Sequence, residues 1–215
     1  MKIEWIGHSC FLITAKDGTK LVTDPYNEMV GKLPHLEADI VTVSHNHGDH
    51  NYIKGVSGNP LHISEAGDFS EKNCNIKGIL TYHDNDEGKK RGNNIVFCFS
   101  IDGFKLCHCG DLGHLLSVEQ LEAIGNVDVL FIPIGGKFTI DAEKADLVIN
   151  QINPAIAIPM HYGTRNLSIV GFILDKLGRF LQVSERKTIE LQELEINNKE
   201  ELAQYKGIVI LKSKA

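Results

Sequence analysis

Ser44-His45-Asn46-His47-Gly48-Asp49-His50 sets three imidazoles and a carboxylate directly after the apolar, β-branched run Ile40-Val41-Thr42-Val43. That run reads as a buried strand, so the imidazoles emerge where a strand ends. In an extended backbone residues i and i+2 project to one side, which lets His45 and His47 converge on one ion. Gly48 then allows the chain to turn, and Asp49 and His50 can face the same cavity from a second direction and hold a second ion. Three further candidates follow apolar strand patterns: His83 after Ile79-Leu80, Asp111 after residues 104–109, and His161 after Ile156-Ala157-Ile158. Strand ends aimed at one edge supply ligands on rigid elements without closeness in sequence. Imidazole and carboxylate donors suit zinc, manganese or iron, with zinc the first choice. Two such ions roughly 3.5–4 Å apart would hold a bridging hydroxide at neutral pH and stabilise the charge that develops on attack. Asp49 could orient that hydroxide or take its proton, and His114 could protonate a leaving group.

These side chains are useful only if strands and turns hold them. The segment Lys2-Ile3-Glu4-Trp5-Ile6 alternates apolar and polar residues, Cys10-Phe11-Leu12-Ile13 and Lys20-Leu21-Val22-Thr23 continue it, and Asp17-Gly18 is a turn signal. A β-meander ended by Asp24-Pro25 is expected. Residues 26–36 lack a period and include Gly31 and Pro34; a loop of this length is expected to lie over the metal site as part of a substrate cleft. Short strands at 61–63 and 76–80, a polar loop at 84–92, and a hairpin of 95–101 with 104–109 across Asp102-Gly103 follow. Ser117 and Gln120 form a capping-box pattern for a short helix that Gly125 stops. After a buried strand at 127–132, Asp141 caps a helix carrying Ala145, Val148 and Ile149, which Asn153-Pro154 closes. The strand at 155–158 delivers His161. A helix over 169–177 and strands at 188–191 and 208–211 complete the chain. Strands dominate the first half and strand–helix alternation marks the second, which indicates α and β elements in layers.

Composition narrows the functional classes. The chain has 215 residues, 42% of them hydrophobic, enough for one large domain over 1–215. A formal net charge of −6 argues against holding a nucleic-acid backbone by bulk electrostatics. Met1-Lys2-Ile3-Glu4-Trp5 has no signal-peptide core and no apolar run has bilayer length, so a cytoplasmic protein with no membrane partner is expected. The five cysteines form no CxxC pair. Cys107 and Cys109 flank His108, but strand alternation puts the sulfurs on one face and the imidazole on the other, so buried thiols are expected there rather than a zinc site. The sequence is compatible with a homo-oligomer.

The HxHxDH motif at a strand end, with Trp5-Ile6-Gly7-His8-Ser9, Thr23-Asp24-Pro25, Gly110-Asp111-Leu112-Gly113-His114 and Ile158-Pro159-Met160-His161-Tyr162, resembles the metallo-β-lactamase superfamily. It is similar in particular to the branch of metal-dependent hydrolases that includes L-ascorbate-6-phosphate lactonase and, more distantly, the phospholipase D acting on N-acyl-phosphatidylethanolamine. The resemblance implies an α/β fold, the αββα sandwich, with the metal site at one edge between two facing sheets. Carried over residue by residue, it makes His45, His47 and His83 ligands of a first metal and Asp49, His50 and His161 ligands of a second, with Asp111 bridging. The implied activity is hydrolysis of an ester-like bond, a lactone or a phosphodiester, in a small-molecule substrate. A phosphorylated substrate would need a cation away from the metals. Arg165 is the better candidate on chemistry and Lys137 on position, with Lys89-Lys90-Arg91 nearby in sequence. His8 and His114 lie beside motifs and could touch substrate or orient a ligand, and Asp24 could accept the second N–H of a liganding imidazole. Two other readings compete: a non-catalytic metal-binding or ligand-sensing protein on the same fold, and a diiron redox protein. Against the latter stands His47, where the flavodiiron members typically carry glutamate.

Overall fold

A computed structural model describes residues 1–164 and 172–215. Its strands, in chain order, begin with β1 (Lys2–Gly7), β2 (Cys10–Thr14), β3 (Lys20–Thr23), β4 (Leu36–Glu37), β5 (Ile40–Thr42), β6 (Val56–Ser57), β7 (Leu61–Ile63) and β8 (Gly67–Glu71). They continue with β9 (Cys74–Tyr82), β10 (Asn93–Ile101), β11 (Phe104–His108), β12 (Val129–Pro133), β13 (Ile156–Met160), β14 (Thr188–Leu191), β15 (Leu194–Glu195) and β16 (Gly207–Leu211). One sheet has the order β15-β1-β2-β3-β5-β7 and a larger one the order β14-β16-β13-β12-β11-β10-β9-β8, while β4 and β6 form a short ribbon. The meander β1-β2-β3 is antiparallel, as its turn signals require, and β5 joins β3 in parallel. In the larger sheet the hairpin β10-β11 turns through Asp102 (φ 53°) and Gly103 (φ 82°), the left-handed pair that an Asp-Gly hairpin uses.

Two-residue alternation sorts the first sheet into two faces. Ile3, Trp5, Phe11, Ile13, Leu21 and Ile40 point into the main core, whereas Ile6, Cys10, Val22 and Val41 belong to a second cluster with Tyr26, Val30 and Leu36. The main core joins the two sheets; the Phe11 and Phe131 rings approach to 4.4 Å between centroids. Residues from the aperiodic stretch 26–36 therefore cover the outer face of the smaller sheet, and the loop also packs Asn27 against Gly48 and Leu33 against Gly55. The larger sheet carries the helices. Helix α1 (Val118–Ile124) starts at the Ser117–Gln120 capping box and ends at Gly125, and α2 (Ala142–Ile152) starts at Asp141 and ends at Asn153 in the left-handed conformation. They pack against β9 and β12 respectively. All five cysteines are free thiols, and Cys107 and Cys109 lie in the apolar core.

Several elements differ from the sequence expectation. β8 was not expected because its residues, Gly67-Asp68-Phe69-Ser70-Glu71, are largely exposed at the sheet edge and carry no apolar alternation. β9 is longer than residues 76–80. Of the helix expected over 169–177, residues 169–171 lie outside the described ones; Phe172 and Ile173 are helical, but residues 174–176 leave the helix and Leu177 begins a separate one, α3 (Leu177–Ser184). No side chain caps that helix at Lys176, so its start leaves no mark in the sequence; Phe180 is fully buried and Leu177 and Leu181 pack beside it, against α2. Among the described residues no helix is long and apolar enough to cross a membrane.

Candidate metal centre

Four strands deliver the candidate ligands. β5 leads through Val43 and Ser44 to His45, β9 ends next to His83, β11 precedes Asp111, and β13 ends next to His161. They meet at Asp111, which is 2 % exposed. Its Oδ2 lies 3.2 Å from His161 Nε2, 3.4 Å from His83 Nε2 and 3.9 Å from His45 Nε2, while Oδ1 lies 3.3 Å from His50 Nε2. Donor atoms of His45, His47 and His83 form one group within 4.8 Å, and those of His8, Asp49, His50 and His161 form another. His45, His50 and Asp111 form a third that links the two. All seven candidate ligands named from the sequence thus come together, and His8 joins them. Its Nε2 donates to Asp49 Oδ2 at 3.3 Å and its ring lies 4.1 Å from that of His161.

The residues fit divalent metal ions. Among the described residues, His45 Nε2, His50 Nε2, both ring nitrogens of His161 and Asp111 Oδ1 are buried with no hydrogen-bond partner. An unsatisfied buried polar atom costs about 1–3 kcal/mol, a cost that a cation held between several such atoms would offset. Burial favours the neutral form in three of the imidazoles. Burial, reinforced by His161, lowers the His8 pKa to about 4, and burial, reinforced by His50, lowers that of His45 to about 3. Burial also lowers His83. Neutral imidazole is the form that binds metal. Burial would raise Asp111 and Asp49, but the imidazoles around them outweigh it and keep both carboxyls below the usual range. For His50 burial pushes downward, yet Asp111 and Asp24 prevail and raise it well above its ordinary value. Buried carboxylates here call for positive charge, which divalent ions supply.

A second ring of contacts fixes which nitrogen each imidazole presents. Asp24 accepts the Ser44 backbone N–H at 2.7 Å, the Ser44 hydroxyl at 2.7 Å and His50 Nδ1–H at 2.8 Å. Because the Ser44 hydroxyl donates to Asp24, its oxygen accepts His45 Nδ1–H at 2.9 Å. Both histidines are thereby turned with Nε2 toward Asp111, the arrangement that orients metal-binding imidazoles. Asn94 holds Asp111: its Oδ1 accepts the Asp111 N–H at 2.9 Å while its Nδ2 donates to Cys109 O at 2.9 Å and Thr81 Oγ1 at 2.8 Å. His108 Nε2 donates to Ser9 O at 2.9 Å and Nδ1 accepts the Gly110 N–H at 3.2 Å, so the ring braces the turn before Asp111. Close backbone approach sets the remaining positions. A Cβ at Gly113 would overlap the His83–Asp84 backbone, and one at Gly135 would overlap the His161 carbonyl. His8 and His161 adopt φ of 53° and 51°, and the His8 carbonyl accepts both the Trp5 indole at 3.0 Å and the His161 N–H at 3.1 Å. Such left-handed conformations persist where surrounding contacts enforce them.

Ser44 and Asn94 were not singled out from sequence, and His108 was weighed there only with Cys107 and Cys109 as a zinc site. His114 stands apart from the cluster: its Nε2 accepts the Tyr82 N–H at 3.1 Å and its Nδ1 donates to Leu115 O at 2.7 Å. Both nitrogens are engaged by backbone, and the ring ties the turn after Asp111 to the end of β9. Lys137 is exposed, and its carbonyl accepts the Arg91 guanidinium at 3.2 Å. Arg165 lies outside the described residues.

A sandwich of two sheets with a histidine–aspartate cluster at one edge defines the metallo-β-lactamase class of fold. Residues 2–161 match the family described as Beta-lactamase superfamily domain. The chain is 32% identical over 86% of its length to a UPF0173 metal-dependent hydrolase of Carboxydothermus hydrogenoformans, covering 95% of that protein. It is 29% identical over 78% of its length to one of Thermoplasma acidophilum, covering 85% of that protein. Its fold matches the crystal structure of a Thermotoga maritima protein, described there as a candidate Zn-dependent hydrolase of the metallo-β-lactamase superfamily. The TM-score is 0.82 and the identity 36%, over 99% of both chains. The chain belongs to the metallo-β-lactamase superfamily, in its UPF0173 metal-dependent hydrolase family.

Proposed function

We propose that this protein is a binuclear hydrolase, with zinc the first choice of metal, that cuts an ester-like bond, a lactone or a phosphodiester, as its similarity to the lactonase-like branch suggests. The observation that carries the reading is the set of buried, unpartnered Nε2 atoms and carboxylate oxygens converging around Asp111. His45, His47 and His83 would hold one ion and Asp49, His50 and His161 the other, with Asp111 shared between them. Bound there, the ions would supply Lewis acidity and a water acidic enough to attack at neutral pH.

The chain's own groups do the rest. Asp24 and Ser44 keep Nε2 of His50 and His45 turned toward Asp111. Asp49 is partly exposed and held by His8, and its lowered pKa makes it a standing hydrogen-bond acceptor that orients the attacking water rather than a store for its proton. His114 would have to surrender a backbone hydrogen bond to protonate a leaving group, so that role is not assigned to it. The test is an assay of metal-loaded protein on a panel of lactones and phosphodiesters, with metal content measured on the same sample. Steady turnover of one class, removed by chelation and restored by zinc, is expected. Full metal loading with no turnover of either class would leave non-catalytic metal binding as the function.

A further inference from the structure

The loop that begins directly after His83 is built around one carboxylate. Asp84 is 7 % exposed, and its Oδ1 accepts the N–H groups of Asp86 at 2.8 Å and Gly88 at 3.0 Å. Its Oδ2 accepts those of Lys90 at 3.0 Å and Arg91 at 2.8 Å. The loop closes on itself and on the candidate ligand, with Gly92 N donating to Gly88 O at 2.8 Å and His83 N donating to Gly92 O at 3.0 Å. The backbone of Arg91 is therefore fixed relative to His83. Its side chain is also held: Nη2 donates to Lys137 O, and Cζ lies 4.8 Å from the centroid of the Phe138 ring. Yet among the described residues no carboxylate lies within ion-pair distance of Arg91, whereas neighbouring Lys89 and Lys90 both pair with Asp86. Arg91 shares a cavity of about 480 Å³ with His45, Asn46, His47 and Asn93; Glu65, in the same lining, is exposed and makes no ion pair with it.

We infer that Arg91 is the anchor for an oxyanion on the substrate and that Asp84 positions it, an inference that rests on the hydrolytic reading of the adjoining histidines. One guanidinium N–H is spent on Lys137 O, which leaves a planar fork of donors for a carboxylate or phosphate. The substrate class is then an ester or lactone carrying such a group apart from the bond that is cut. An immobilised loop lowers the ordering cost of binding, because the cation is already in place.

The test compares metal-loaded wild type with Arg91→Ala, Arg91→Lys and Asp84→Asn on three p-nitrophenyl esters differing in the acyl tail: butyrate (neutral), hemiglutarate (carboxylate) and 3-phosphonooxypropionate (phosphate). Calorimetric titration of the same proteins with glutarate and with glycerol 2-phosphate reads binding without turnover. In Arg91→Ala the ratio of kcat/KM for a charged ester to that for the neutral one should fall at least tenfold, mainly through KM, and the matching anion should bind at least tenfold more weakly. Arg91→Lys should lie between, since lysine offers charge without the fork. Asp84→Asn should shift the same ratio with Arg91 still present, which a merely structural defect would not do. The tail with the larger fall, carboxylate or phosphate, identifies the anion. A ratio and an anion affinity both unchanged in Arg91→Ala would overturn the assignment, and Arg91→Gln serves the same comparison if the alanine variant does not fold. No turnover of any ester, together with anion binding that depends on Arg91, would count against hydrolysis and keep Arg91 as the anion site.

Discussion

Asp111 is the residue on which four imidazoles converge, so its replacement should reach further than that of any one histidine. Asp111→Asn is expected to lower bound metal from about two equivalents per chain to below one, while His83→Ala should mainly empty one of the two positions. Elemental analysis of both variants after mild purification decides this; two equivalents retained in Asp111→Asn would refute the shared role. Asn94 acts one step behind. Asn94→Ala would leave the Asp111 N–H and the Cys109 carbonyl without the side-chain partner they now have, while the Thr81 hydroxyl keeps its bond to the backbone carbonyl of residue 94. The expected cost is about 1–3 kcal/mol in urea unfolding and a roughly 10–100-fold loss of metal affinity. A metal competition titration unchanged by the substitution would show that Asp111 is held by something else. The difference in legibility between these two residues is physical. His45, His47, Asp49 and His50 advertise themselves through their spacing, and Asp24 through its place after a strand. Asn94 and Ser44 act only through partners brought to them by the fold, and neither forms a recognisable pattern alone.

Elements whose ends are written locally were readable from sequence, and elements held only by packing were not. Helix α1 belongs to the first kind: the Ser117 hydroxyl accepts the Gln120 N–H at 3.2 Å and the Gln120 side chain accepts the Ser117 N–H at 3.0 Å. Ser117→Ala should cost about 1 kcal/mol of stability and leave the metal content unchanged, because α1 contributes no candidate ligand; equilibrium urea unfolding with elemental analysis measures both. Loss of metal in that variant would mean that α1 supports the β9 end, and with it His83, more directly than its contacts indicate. β8 and α3 belong to the second kind. β8 is an edge strand with polar residues on both faces, and α3 starts without a capping side chain, so each is specified by what it pairs with or packs on. Gly113 and Gly135 lie between the two kinds, since each sits in a readable loop, but only the fold shows that its missing side chain lets that loop rest against the backbone at His83 or at His161.

At the scale of the whole molecule, the candidate metal cluster sits at an edge and the core does not pass through it. The inner faces of both sheets interlock through Ile3, Trp5, Phe11, Phe97, Phe99 and Phe131, all buried and none a candidate ligand. A chain of 215 residues with such a core does not need an ion to fold, unlike a small zinc domain whose metal supplies most of its folding free energy. The ions should nevertheless stabilise the native state by mass action. A ligand present at a hundred times its dissociation constant adds about 2.7 kcal/mol, and a chain of this size shifts its Tm by roughly 2–4 °C per kcal/mol. Removing one such ion should therefore lower Tm by roughly 5–11 °C, and removing two by about twice that, with the unfolding transition still cooperative. Calorimetry before and after exhaustive chelation, followed by zinc addition, measures the shift and its reversal. Loss of the transition altogether on chelation would mean that the buried, unpartnered imidazoles around Asp111 are tolerated only when metal holds them, and that the edge of the sandwich and its core fold as one unit.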